Sequence, residues 1–261
     1  MTNFIYDLFR PIYSPIAKSL RKALVTPQSF LRHSEMEIPT QWDFVQFQAE
    51  RNLHRYLQCS ANEIKNIYIV GAHTCPEIER MEKIYQNATF VCYEPSPKFY
   101  PELQKKHQNN TNVICKKLAC GREPGRATFY ELSMPGNGSL LKPDIKKWQQ
   151  FNRWDDNSQE TFEVEVTTLD LECKNAIIDL LWVDVQGAEY DVLLGAQNTL
   201  NNIKAIMLEV AMLESPYSNS TLFSEINSLL LSKGFHLVSL GLDPYNFTGN
   251  ALWLSNPKTL L

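Results

Sequence analysis

Carboxylates recur where the apolar runs of this 261-residue chain stop. Glu94 follows "TFVCY", Asp184 ends "IIDLLWVD", Glu189 stands five residues further on, and Glu209 sits near the end of "AIMLEV". A carboxylate at a strand tip can accept hydrogen bonds from both hydroxyls of a ribose, draw a proton from an attacking hydroxyl, or hold a cation. Glu94 suits the first role, with a helix N-cap or a surface acid beside Pro95 as the plain alternative. Asp184 suits a general base, a cation ligand or a partner for a cofactor's ammonium group. A run apolar on both faces marks a central strand, and a carboxylate at its tip is partly desolvated; capping the helix that begins near Gly187 is the alternative. Glu189 falls in the first turn of that helix, where its charge complements the dipole whatever else it does. Glu209 is similar in kind, and the sequence names no partner for it. The stretch "IYIVGAHTCPE" (67–77) is a strand that breaks at Gly71, continues through Ala72 and His73, and offers Pro76 where a helix can start. Gly71 lets backbone approach a ligand or simply turns, and His73 donates to a carboxylate or faces solvent.

Residues so scattered in sequence act together only on a scaffold that gathers strand tips. Apolar runs at 67–70, 89–93, 113–119, 178–183 and 204–210 each precede turn or helix signals, and helical stretches fit near 77–86, 97–108, 187–201 and 221–233. That alternation predicts an α/β fold, a mostly parallel sheet wound on both faces, with ligands outside the carboxyl ends of the strands. Phe162, Val164 and Val166 alternate with Glu163, Glu165 and Thr167, which predicts an extra half-exposed strand. "GFHLVSL" and "GNALWLS", separated by a Pro/Gly/Asn turn, predict two strands joined as a hairpin.

Composition narrows the classes. A hydrophobic content of 44% supplies a real core for one large domain with an N-terminal extension. The 25 Lys+Arg against 29 Asp+Glu give a net charge of -4, which argues against nucleic acid as a partner. Six cysteines at 59, 75, 92, 115, 120 and 173 form no CxxC pair, as suits reduced thiols in a cytoplasmic protein. The sequence carries no signal for an oligomeric state. Residues 1–40 hold apolar positions at roughly helical spacing with basic residues between them, interrupted by Pro11 and Pro15. Such an arm reads first as a segment packing on the domain and second as a peripheral contact with a membrane surface or a partner. A helix is expected over 41–57, covering the domain's entrance.

The stretch from Ile67 to Leu254 resembles the FkbM family of S-adenosylmethionine-dependent O-methyltransferases. The matching motifs run in order: "VGA" after the first strand, "YEPSP" after the second, "KLACGREPGRATFYE" after the third, "GNGSL" at 136–140, "VTTLD" at 166–170, "LLWVDVQGAEYDVLLGA" at 180–196, "IMLEV" at 206–210, and "GF" at 234–235. The resemblance implies a Rossmann-like class I methyltransferase domain over 61–261, with a seven-stranded sheet whose C-terminal strand runs antiparallel, preceded by a helical extension over 1–60. It also implies bound S-adenosylmethionine and methylation of a hydroxyl on a sugar or glycosylated acceptor, small or polymeric. Onto this chain it carries a cofactor-binding set of Gly71, Ala72, His73, Glu94, Pro95, Ser96, Ala119 and Asp184. Asp184 and Glu189 fall to the chemistry, and Ser139 and Glu209 to the acceptor; a divalent metal is compatible with these acids without being required by them.

The chain departs from the family's pattern in two places. The first motif usually reads Asp-Val-Gly-Ala-Asn-x-Gly, so Ile69, His73 and Cys75 replace the acid, the Asn and the second Gly; Gln186 stands where the central block usually carries Glu. The expectation is an enzyme that holds its cofactor less tightly than a relative with the usual turn. The competing reading is a non-catalytic binding or scaffolding module on the same fold. A nicotinamide-dependent oxidoreductase is weaker, because GxGxxG is absent.

Overall fold

The computed structural model describes residues 43–152, 158–243 and 247–255. Seven strands form the main sheet: β1 (Asn66–Val70), β2 (Thr89–Tyr93), β3 (Val113–Lys116), β7 (Leu180–Val183), β8 (Ala205–Ala211), β9 (Phe235–Leu242) and β10 (Thr248–Ser255). Their order is β3-β2-β1-β7-β8-β10-β9. The first five pair in parallel, and β10 runs antiparallel to both β8 and β9. This is the expected Rossmann-like sheet with its antiparallel C-terminal strand, and the predicted hairpin is the β9–β10 pair.

The strands read as apolar on both faces because both faces are covered. Along β1 and β7, Ile67, Ile69, Leu180 and Trp182 enter one core while Val70, Leu181 and Val183 enter the other. The helix Asp43–Tyr56, expected over 41–57, lies along the first of these faces and buries Val45, Ala49 and Leu53 at four-residue spacing. Its Glu50 carboxylate is buried and accepts two hydrogen bonds from Arg80, at 2.7 and 2.8 Å. The arm expected over residues 1–40 falls outside the described residues.

Two differences from the expected elements shape the site. The run 113–119 does not continue as one strand: after β3 the chain leaves the main sheet, and β4 (Ala119–Cys120) joins a second sheet of order β4-β6-β5 with β5 (Gly125–Leu132) and β6 (Gln159–Thr167). The half-exposed strand predicted around 162–167 is β6, which pairs antiparallel with β5 from Gly125↔Val166 to Leu132↔Gln159. The helix expected over 187–201 is shorter, Glu189–Leu194. It ends at Gly195, which passes so close to the segment after β4 that a Cβ there would stand 2.0 Å from the Gly121 carbonyl oxygen.

Candidate active site

Strand order reverses between β1 and β7, so the chain leaves their tips in opposite directions and a crevice opens above them. A cleft of about 510 Å³ including its open mouth lies there, with Gly71, His73, Glu94, Pro95, Ala119 and Asp184 in its wall. Those six sequence-selected residues share one cleft, while Ala72, Ser96, Ser139, Glu189 and Glu209 are not in its lining. Gly71 has φ +81° and packs so tightly that a Cβ would stand 1.8 Å from the Asp184 carbonyl oxygen. Its absent side chain lets the β1 turn and the β7 tip meet. The N–H groups of Gly71 and Ala72 both donate to the Tyr93 carbonyl at 3.0 Å, which ties the turn to the tip of β2.

Glu94 is buried at that tip. Its Oε2 accepts the His73 N–H and its Oε1 the Ser96 N–H, each at 2.7 Å. Each oxygen keeps a second lone pair, the capacity that two vicinal hydroxyls need. Burial pushes the carboxyl up to about 7 against the pull of those N–H groups, and the charge of Glu131 adds to the rise. Pro95 and Ala119 supply apolar wall beside it. Ser96 is buried, and its hydroxyl donates to Glu131 Oε2 at 2.6 Å. The His73 ring lies 4.0 Å from Phe99 between centroids, and its buried Nε2 has no partner among the described residues. Burial lowers its pKa, so the ring is held neutral. An unpartnered nitrogen and a buried carboxylate with spare acceptor capacity, both in one cleft wall, fit a polar cofactor.

At the other side the acids after β7, at the start of the Glu189–Leu194 helix and on β8 meet: one oxygen each of Asp184, Glu189 and Glu209 lie within 4.8 Å of one another. Glu189 is buried and turned back on its own loop, its Oε1 accepting the N–H groups of Val185 and Gly187 at 3.1 Å. That geometry clamps the loop carrying Asp184. Asp184 itself is only half-buried at the cleft floor. Gln186 Nε2 donates to Asp184 Oδ1 at 2.7 Å and to Glu209 Oε2 at 2.9 Å. Burial raises the pKa of all three acids: Glu189 reaches about 7, and Glu209 is driven well above the usual range with the charge of Asp184 adding to the effect. By oxygen count the trio could hold a divalent cation, but an amide nitrogen already bridges two of its members. Ser139 is buried; its hydroxyl donates to the Val185 carbonyl at 3.2 Å and accepts the Leu141 N–H at 2.9 Å, so it pins the 133–141 loop to the β7 tip.

Three participants escaped the sequence reading. Glu131 comes from β5 and Tyr217 from a loop after β8, while Gln186 was noted only as a departure from a motif. Glu131 had a weak signal, an acid near the end of the largely apolar "ATFYEL"; Tyr217 had none.

The chain matches the Methyltransferase FkbM domain over residues 69–237. It is 33% identical over 171 residues to Methyltransferase 1 of Beauveria bassiana, covering 59% of this chain and 66% of that protein. It is 28% identical over 154 residues to the 2-O-methyltransferase NoeI of Sinorhizobium fredii, covering 54% of this chain and 60% of that protein. In both cases the match spans less than two thirds of the relative's length. Among solved structures, fibrillarin of Aeropyrum pernix, in complex with natively bound S-adenosyl-L-methionine, is similar at a TM-score of 0.44 and 11% identity, over 80% of this chain and 74% of that one. The fold rests on the strand order rather than on that likeness. The matched domain takes in more than half of the chain, from the β1 turn through both acid-bearing strand tips, and the chain belongs to the FkbM methyltransferase family.

Proposed function

We propose that the chain is an S-adenosylmethionine-dependent O-methyltransferase acting on a hydroxyl of a sugar or glycosylated acceptor. The observation that carries the reading is the cleft itself, in which a buried carboxylate with spare acceptor capacity, Glu94, and a partly buried one, Asp184, share a wall across the Gly71 turn. When bound, S-adenosylmethionine supplies a methyl carbon activated by the attached sulfonium. Glu94 accepts the ribose hydroxyls, the His73 segment orders the turn around them, and Asp184 receives the proton of the attacking hydroxyl. Most of the rate is expected from alignment rather than from strong acid–base chemistry.

The charge of the cleft bears on the acceptor. Among the described residues its lining holds Glu94, Glu131 and Asp184 and no lysine or arginine. A phosphorylated or carboxylated acceptor would meet uncompensated negative charge, so a neutral polyol suits the site. Incubation with methyl-labelled S-adenosylmethionine and matched neutral and phosphorylated glycans tests this. Label is expected in the neutral glycans with the parent and not with Asp184→Asn. Transfer undiminished in Asp184→Asn would move the base elsewhere, and transfer to phosphorylated acceptors alone would overturn the acceptor class.

A further inference from the structure

Gln186 sits in an unfavourable backbone conformation and spends its amide nitrogen on two acids. Its φ is +56°, followed by Gly187 at +97°. The left-handed region is strained for a residue with a Cβ and persists only where surrounding contacts hold it. The contacts here are those of the amide: one nitrogen reaches Asp184 Oδ1 at 2.7 Å and Glu209 Oε2 at 2.9 Å. On its other side, Gln186 Oε1 lies 3.4 Å from the Tyr217 hydroxyl, which is itself fixed by the Asn137 carbonyl at 3.0 Å. An amide has two N–H groups on one nitrogen, and here each meets a different carboxyl group.

We propose that Gln186 is the positioning residue of the acid cluster: its amide nitrogen takes the place of a bridging cation between Asp184 and Glu209, aims Asp184 at the cleft, and makes the site independent of divalent metal. The proposal rests on the reading of Asp184 as the proton acceptor. Like charges at this separation repel, and something must offset them. The two amide hydrogens do so for Asp184 and Glu209, and the backbone N–H groups of Val185 and Gly187 do so for Glu189. A divalent ion bridging Asp184 and Glu209, with water completing its shell, would have to displace a nitrogen that carries hydrogens towards both acids.

The test is thermal unfolding of the parent, Gln186→Glu and Gln186→Met, each in chelator and in millimolar manganese. The parent is expected to melt at the same temperature in both. Gln186→Glu adds a fourth acid where the donor was, so it should melt lower in chelator and gain about 5 °C or more with manganese. Gln186→Met keeps the length without donors and should melt lower with no response to manganese. A merely structural glutamine would lower both variants and give neither a response. Stabilisation of the parent by manganese overturns the proposal, as does indifference of Gln186→Glu. If Gln186→Glu does not fold in chelator, its refolding yield from denaturant decides: recovery with manganese supports the proposal, and equal failure in both buffers overturns it. Titration of the parent with S-adenosylhomocysteine in chelator separates the two readings. Its failure removes the proposed function and leaves the cation result standing.

Discussion

Glu94 carries the most direct consequence. Replacing it with Gln removes the charge and sets an amide NH2 against one of the two backbone N–H groups that Glu94 accepts, so affinity for S-adenosylhomocysteine should fall by roughly tenfold to a hundredfold. Calorimetry checks it, and equal affinity would remove Glu94 from the cofactor site. Its raised pKa adds a pH dependence. Glu94 and Glu189 both stand near 7 in the folded protein, above the ordinary carboxyl value near 4.5 of the unfolded chain. The stability they contribute is therefore complete below about pH 4.5 and is lost as pH rises through 7. Cofactor affinity should run the other way, rising through the same window as Glu94 ionises. Melting curves of the free protein from pH 5 to 8 should shift downward with pH, less steeply in Glu94→Gln; parallel curves would contradict the assignment. At this scale Glu94, Asp184 and Glu209 were legible because each ends an apolar run. Gln186, Glu131 and Tyr217 were not, because their meaning lies in partners 23 to 80 residues away, brought close only by the sheet: Gln186 to Glu209, Glu131 to Ser96, Tyr217 to Asn137.

The elements make different demands on two neighbouring residues of the first motif. A methyl group at Gly71 would collide with the β7 tip in a left-handed backbone, so Gly71→Ala should cost about 2 kcal/mol or more and loosen the cleft. Denaturant unfolding measures this, and a variant as stable as the parent would mean the two tips can separate freely. Ile69 stands where the family carries an acid, yet it is 4% exposed and packs with Ala72, Cys75 and Ile78 in the core beneath the turn. Ile69→Asp would bury an unpaired carboxyl and should destabilise by about 3 kcal/mol. Restoring the acid by itself is therefore expected to weaken the turn, and an unchanged unfolding midpoint would contradict this packing. Cys75, where the family has Gly, takes φ +38° and is buried, so this turn has been filled with side chain rather than left open. The strands of the main sheet were legible because burial on both faces leaves unbroken apolar runs. The second sheet was not: β4 has two residues, and β5 has no clean alternation. What pairs them is β6, which arrives some 40 residues later.

Across the whole molecule, a sheet of order β3-β2-β1-β7-β8-β10-β9 places the β1 and β7 tips side by side, and the second sheet closes the cleft with Phe129 and Glu131. No helix of the described residues is long and apolar enough to cross a membrane. Glu94 and Asp184 line the same cleft, yet they are separable in experiment, since Glu94 follows β2 and Asp184 follows β7. Asp184→Asn should abolish transfer while the protein stays folded. The central claim is that this cleft binds S-adenosylmethionine through Glu94, and calorimetric titration of the parent and Glu94→Gln with S-adenosylhomocysteine tests it most directly. The account predicts one molecule bound per parent chain and clearly weaker binding by Glu94→Gln; a parent that binds none, or a variant that binds equally well, would contradict it.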